Sequence, residues 1–372
     1  MRIGDREIGM PNRDCAGVYV IAELGVNHDG RLDRALELTQ AAADAGADAV
    51  KLQYFETDRL LSSAAKLAAY QQAAGEADPV EMLRRLELPL ESMARVIEKA
   101  HALGLHALVT VFSVELVGRA AELPWDAFKS ASPDIVHRPL LEALAATGRP
   151  LLVSTGASEM DEIERAASWL RNCGARERTA LLHCVSSYPA APADAALLGI
   201  VALRRAFDVP IGYSDHTCLD AIGAAAVACG AAVLEKHLTY DPRAAGPDHA
   251  ASLGPRAFAR YAGLAKQVPR DRVLPAHADP VLDDRYQMTD DSDVLGALTK
   301  RVLPCEREVR MLSRQSIVSR RGLQQGEVIR ADDLTFKRPG TGLPPCEIEH
   351  VIGRRLRRAV KADTPLVAED LA

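Results

Sequence analysis

The chain predicts an α/β fold, a (β/α)8 TIM barrel followed by a small C-terminal domain. Three observations carry that prediction. Eight short β-branched or apolar runs recur along the first two thirds of the sequence, amphipathic stretches separate them, and polar residues collect at the C-terminal ends of the runs. An open doubly wound sheet is the competing arrangement, but no glycine-rich phosphate loop follows the first run as that fold would require.

In order, the strands are expected in VYVIAEL (18–24), AVKLQYF (49–55), HALVTVF (106–112), AFKSAS (127–132), PLLVSTG (150–156), TALLHCV (179–185), PIGYSDH (210–216) and VLEKHL (233–238). Helices are expected in LDRALELTQAAADAG (32–46), ESMARVIEKAHALG (91–104), SEMDEIERAASWLRN (158–172) and DAIGAAAVACG (220–230), where apolar residues return at helical spacing and glycine often closes the element. Residues 1–268 therefore read as the barrel. A segment rich in proline and aspartate, 269–311, reads as an exposed linker or insertion, and 312–372 as a separate small domain of short strands and turns.

Composition narrows the function. With 372 residues, 48% of them hydrophobic, the chain can bury a large core, and a net charge of -6 argues against a surface for nucleic acid. The seven cysteines form no C-x-x-C pair and no zinc spacing, so a reducing cytoplasm is the expected location. The N-terminus is charged and the longest apolar stretch, 221–234, is too short to span a bilayer, so neither export nor a membrane partner is expected.

In a barrel of this class the chemistry lies at the C-terminal strand ends. There the sequence places Glu23, Lys51, Gln53, Thr110, Lys129, Ser132, Ser154, Ser186, Tyr188, Ser214, His216, Glu235 and His237. Each alone is explained by a satisfied polar group or a helix cap, but strand interiors of a barrel are normally apolar. Lys51 and Lys129, with neighbouring hydroxyls, suit a compact anion carrying phosphate and carboxylate. His216 and His237, at the ends of adjacent strands, read as a two-imidazole site for a divalent ion with Asp248 on a loop nearby; a phosphate-contacting or acid-base pair is the other reading. Glu235 shares the inward parity of His237 and is placed to orient a ligand or water.

The ordered stretches IAELGVNHDGRLDRALELTQAAADAGADAVKLQYF, AFKSASPDI, PLLVSTGASEMDEIE, LLHCVSSYPA, IGYSDHT, LEKHLTYDPRAAGPDHAASL and FKRPGTGLPP resemble the N-acetylneuraminate (sialic acid) synthase family, whose tail is the antifreeze-like (SAF) domain. The resemblance implies condensation of phosphoenolpyruvate with an open-chain N-acyl hexosamine, either N-acetylmannosamine or a related diacetamido sugar, giving a nine-carbon acid and phosphate. By matched position, Lys51, Gln53, Thr110, Lys129, Ser132, Ser154, Ser186, Tyr188 and Ser214 would surround phosphoenolpyruvate. His216 and His237 would hold Mn2+ or Mg2+ and act in catalysis, and Tyr188, Asp248 and Arg338 would hold the sugar. Glu23 and Asp134 would be the catalytic carboxylates near the carbon that becomes cationic.

One departure from the family pattern falls at Ser132-Pro133-Asp134, where the best-known members read S-G-E: the carboxylate arm is one methylene shorter and its backbone stiffer. The resemblance also implies a domain-swapped homodimer in which Arg338 completes the partner's site, a crossing that the linker makes sterically reasonable. Two other classes stay open. A Schiff-base aldolase or lyase on sialic-type acids would use Lys51, Lys129 or Lys236 as nucleophile, and a non-catalytic sugar-binding paralogue would retain the pocket without turnover.

Overall fold

The computed structural model describes residues 1–9, 17–269, 272–274 and 292–372. Two short strands, β1 (Arg2–Ile3) and β2 (Arg6–Glu7), form an antiparallel hairpin. The eight expected strands follow as β3 (Tyr19–Glu23), β4 (Ala49–Tyr54), β5 (His106–Val111), β6 (Ala127–Ser130), β7 (Leu151–Ser154), β8 (Thr179–Cys184), β9 (Ile211–Asp215) and β10 (Val233–His237). All pair in parallel, and β10 returns to β3, closing the barrel.

Alternation along the strands sorts the residues. Val20, Ala22, Val50, Leu52 and Val109 face outward and pack against the surrounding helices in the main core, whereas Tyr19, Ile21, Ala49, Leu108, Leu152 and Val233 form an apolar layer at the bottom of the interior. Ile3 and Ile8 of the N-terminal hairpin join that layer from below. One turn higher, the inward positions become polar. The register places Glu23 beside Lys51 and His237, Thr110 beside Lys129, and Glu235 beside Ser214. Gly212 is needed at the waist of the barrel: a Cβ there would stand 2.5 Å from Leu182 Cδ2 and 2.6 Å from the Val233 carbonyl oxygen.

The four expected helices form over Leu32–Asp44, Leu90–Ala102, Met160–Asn172 and Ile222–Ala228, each beginning or ending within two residues or so of the sequence reading. Between β4 and β5 the chain adds three short helices that the sequence reading left out, Thr57–Leu60, Ala69–Ala73 and Pro79–Leu86. Their clearest local signal is Asp78, whose carboxylate caps the last of them by accepting from the amides of Val80 and Glu81.

The C-terminal domain pairs β11 (Ser316–Ser319) with β12 (Leu334–Lys337) around its own core of Ile317, Leu323, Ile329, Leu356 and Leu366. It sits over the mouth of the barrel. Arg338 donates its backbone N–H to the Leu60 carbonyl, Ser63 bonds to Asp363, and Arg320 pairs with Glu115. The segment at 269–311, expected to be exposed, is buried at several of its described residues. Residues 270–271 and 275–291 lie outside the described residues, but Val294, Lys300 and Glu306 are buried against the barrel. The two charged residues among these hid the packing from any hydropathy pattern.

Glu162 ties the barrel to the connecting segment and the tail, its carboxylate meeting Arg310 and Arg314 at 2.7 Å each. Burial alone would raise this carboxyl, but the two guanidiniums draw it down to about 2 from an ordinary 4.5. A depressed carboxyl stabilises the fold above its unfolded value and loses that contribution as pH falls through the folded one. Glu162→Gln should therefore cost about 2–4 kcal/mol in urea unfolding at pH 7, and the gap to the parent should close as pH falls from about 4.5 toward 2. An equal gap at pH 7 and pH 3 would show that the ion pairs contribute nothing.

Candidate functional site

The polar upper layer of the barrel opens into a cavity of about 920 Å³, counted out to solvent. At its floor the Glu235 carboxylate accepts from Lys129 Nζ at 3.0 Å and from Ser214 Oγ at 3.1 Å, and lies 3.9 Å from Lys51 Nζ. Lys51 also donates to Thr110 Oγ1 at 2.8 Å and pairs with Glu23, which in turn accepts from the Gly25 amide. Both lysines, Glu23 and Glu235 are almost wholly buried. Burial lowers the Lys51 ammonium to about 7 against the pull of Glu235. Burial would raise Glu235, but Lys129 and Lys51 overcome it and hold the carboxylate low. Its second oxygen has no hydrogen-bond partner. Two ammonium groups, the Thr110 and Ser214 hydroxyls and the Glu235 carboxylate thus surround a space suited to a compact anion that takes the lysines from Glu235.

Beside this floor stand the two imidazoles, their ring centres 5.6 Å apart and inclined at 52°. His216 donates from Nδ1 to the Val185 carbonyl at 2.8 Å; burial would lower this imidazole, but Cys184 and the carbonyl raise it above its ordinary value. Burial and the neighbouring cations hold His237 neutral, and its Nδ1 is buried without a hydrogen-bond partner, 3.9 Å from Asp248 Oδ2. With metal–nitrogen distances of about 2.1 Å, two imidazoles sharing one ion have ring centres about 5 Å apart. Two imidazoles at this separation, one of them with an unpartnered nitrogen, fit a divalent ion. Among the described residues no group of three or more His, Cys, Asp or Glu is placed to hold a metal, so an ion between these two imidazoles would take its other positions from substrate and solvent.

Tyr188 sets its ring 4.1 Å from His216, tilted at 38°, and Tyr70 stacks on Tyr188 at 5.1 Å. Arg338 enters from the C-terminal domain of the same chain and lies over the Phe112 ring at 5.4 Å. Gln53, Ser132, Ser186 and Asp248 complete the polar lining. Gly156 is forced by this crowding, since a Cβ would approach Ser186 Oγ to 2.3 Å and Ser132 Oγ to 2.8 Å.

Three of the side chains expected at the site do not line the cavity. Ser154 is fully buried beneath the cavity and does not line it. Asp134, expected near the reacting carbon, is also fully buried outside the lining, because the helical turn Ser132–Val136 directs it toward Gln315, which donates to it at 3.1 Å. Lys236, a candidate imine-forming lysine, is sealed between the barrel and its helices, 3.3 Å from Asp215.

Other residues went unseen in the sequence. Tyr70, Gln71, Met82 and Leu83 come from the insertion after β4, and Cys184 brings its sulfur 3.8 Å from His216 Nδ1. Glu306, from the connecting segment, accepts the amides of Ala157 at 2.6 Å and Ser186 at 2.8 Å, and so pins the loops that follow β7 and β8. Its partners lie more than a hundred residues away, and nothing local announces it.

Comparison with known proteins agrees with this architecture. Residues 38–270 match the NeuB family and residues 314–372 match the SAF domain. The chain is 35% identical to an N,N'-diacetyllegionaminic acid synthase of Legionella pneumophila over 95% of this chain and 94% of that protein. It is 30% identical to the N-acetylneuraminate-9-phosphate synthase of Homo sapiens over 94% and 92% of the two chains. It is also similar to the crystal structure of the spore coat polysaccharide biosynthesis protein SpsE of Bacillus subtilis, with a TM-score of 0.81, 30% identity, and coverage of 100% of this chain and 99% of that one.

Asp134 gives a test of this geometry. Burial raises its carboxyl to about 7 against the pull of Arg338 and Gln315. A raised carboxyl costs nothing below its unfolded value and costs increasingly as pH climbs toward the folded one. Asp134→Asn should therefore melt above the parent at pH 8, by up to a few kcal/mol of stability, and match it at pH 4. Its turnover should fall less than tenfold; a hundredfold loss with unchanged phosphoenolpyruvate affinity would return the carboxylate to the reacting carbon.

Proposed function

The chain belongs to the NeuB family, and from that premise we propose that it is a phosphoenolpyruvate-dependent transferase of the sialic acid synthase type. It joins phosphoenolpyruvate to the aldehyde carbon of an open-chain N-acyl hexosamine, giving a nine-carbon 2-keto sugar acid and phosphate for carbohydrate or polysaccharide biosynthesis. The observation that carries the reading is the convergence of Lys51 and Lys129 on one buried carboxylate beside two neutral-capable imidazoles at the barrel mouth.

Lys51 and Lys129 release Glu235 to hold the phosphate and carboxylate of phosphoenolpyruvate, with Ser132, Ser186, Ser214, Thr110 and Gln53 as donors around them. Manganese or magnesium held by His216 and His237 would act as a Lewis acid toward the aldehyde oxygen. Tyr188, Asp248 and Arg338 hold the sugar so that its carbonyl carbon faces the enol methylene. As the carbon–carbon bond forms, positive charge grows at the phosphate-bearing carbon, where Glu23 and Glu235 supply opposing charge. Water adds to that carbon, and phosphate departs by cleavage of its bond to carbon, leaving the ketone.

In keeping with the resemblance, the chain is organised as a barrel to about residue 268, a connecting segment at 269–311 and an SAF domain at 312–372. It works as a homodimer in the cytoplasm, where the six described cysteines, all free, stay reduced. The structure seats the tail on its own barrel. The same seat accepts the tail of either chain of a dimer, since contacts such as Leu60 with Arg338 and Glu162 with Arg310 are indifferent to which chain supplies them. No helix among the described residues is long and apolar enough to cross a membrane.

Release of phosphate from phosphoenolpyruvate, with product mass detection, tests the activity: release should require both an N-acyl hexosamine and a divalent ion. Release independent of the metal, with a borohydride-trapped imine on the protein, would replace this reading by the aldolase one. For the exchange of tails, a mixture of His237→Ala and Arg338→Ala chains should regain up to a quarter of the parent activity, and a mixture as inactive as its components would assign each tail to its own barrel.

A further inference from the structure

One buried ion pair lies outside the cavity and bears on the two imidazoles; its role rests on the ion site of the proposed condensation. Among the described residues, the outward positions of the eight barrel strands are apolar or neutral except at Asp215 and Lys236. Both side chains are 0% exposed, with Asp215 Oδ2 and Lys236 Nζ 3.3 Å apart, and the two residues are register partners on β9 and β10. Each is followed directly by an imidazole, His216 after Asp215 and His237 after Lys236. Because neighbouring residues of a strand face opposite ways, the ion pair stands behind the barrel wall where the imidazoles stand in front of it.

The ammonium holds more than the carboxylate. Lys236 Nζ donates to the Thr217 carbonyl and, at 3.4 Å, to the Asp215 carbonyl, so it grips the backbone on both sides of His216. Asp215 tightens the same turn, its Oδ1 accepting the Thr217 amide at 2.8 Å and the Tyr213 hydroxyl at 3.4 Å. One ammonium, a single residue before His237, therefore sets where the chain carrying His216 leaves the barrel.

Stability does not account for this pair. Two ions taken out of water lose more than their attraction returns unless the geometry is good and further hydrogen bonds are made, and apolar residues of similar volume often pack as well or better. The use best supported for such pairs is to fix one arrangement against its neighbours. Here the arrangement is the 5.6 Å between the imidazole ring centres. With no third ligand group among the described residues to draw the rings together, an ion depends on that spacing being set beforehand.

We propose that Asp215 and Lys236 form a clamp behind the barrel wall that positions His216 and His237 for a divalent cation. They are positioning residues and touch neither the ion nor substrate.

The experiment is a titration of the metal-free full chain with Mn2+, the free ion being read from its electron paramagnetic resonance signal. The variants are Lys236→Met and the double substitution Lys236→Met with Asp215→Asn, which removes both charges and strands neither. The parent should bind manganese, and His237→Ala should abolish that binding. Both clamp variants should weaken it by about 10–100-fold. Their affinity for phosphoenolpyruvate, measured by calorimetry without metal, should stay at the parent's, and the double variant should unfold in urea close to the parent. Manganese affinity within about twofold of the parent's in the double variant would overturn the clamp and leave the condensation standing. Equal losses of manganese and phosphoenolpyruvate affinity, or a double variant that does not fold, would make the pair a part of general packing and also overturn the clamp. A parent that binds no manganese, or His237→Ala that binds it as well as the parent, would remove the two-imidazole ion site from the proposed function and the clamp with it.

Discussion

Charge buried inside a closed cylinder is the constraint on which this structure turns. An ammonium or carboxylate removed from water costs several kcal/mol unless it is paired and hydrogen-bonded. Lys51, Lys129, Glu23 and Glu235 meet that demand only because they stand on neighbouring strands in one register, with Thr110 and Ser214 filling the remaining positions. The apolar layer below, sealed by Ile3 and Ile8, keeps water from reaching them from the other end. Cations held on protein carboxylates are ready to change partner when an anion arrives, so the resting ion pairs and the binding site are one arrangement in two states of occupancy.

The same constraint explains what could be read from the sequence. A strand whose inward positions run from apolar to charged is rare in a packed barrel. Ile21 with Glu23, Ala49 with Lys51, Ala127 with Lys129 and Val233 with Glu235 each follow that course. Period-two alternation therefore revealed the fold and the floor of the site together. The imidazoles were legible for the same reason, since His216 and His237 end adjacent strands.

Where the backbone leaves the strands, that logic fails. Asp134 sits only a few residues beyond β6, yet one turn of helix directs it toward Gln315 instead of into the cavity, and no periodicity announces a turn of that length. Lys236 alternates outward, so its burial behind the barrel follows from parity that the expectation of an imine-forming lysine overlooked. Tyr70, Met82 and Leu83 belong to helices too short for a hydrophobic stripe to be recognised with assurance. Gln315 and Glu306 act through backbone groups far away in sequence, and a carbonyl or amide leaves no mark in the amino-acid code.

Glu306 has a consequence for how such proteins can change over generations. Because this one carboxylate holds two loops of the barrel from outside it, the barrel and its connecting segment are not interchangeable modules. Grafting a foreign connecting segment, however well folded the tail behind it, would leave two amide groups bare at the rim unless the donor happened to bring an acid to the same spot. Recombination between lineages should thus be tolerated within the appendage's own core, and punished between the barrel and Glu306.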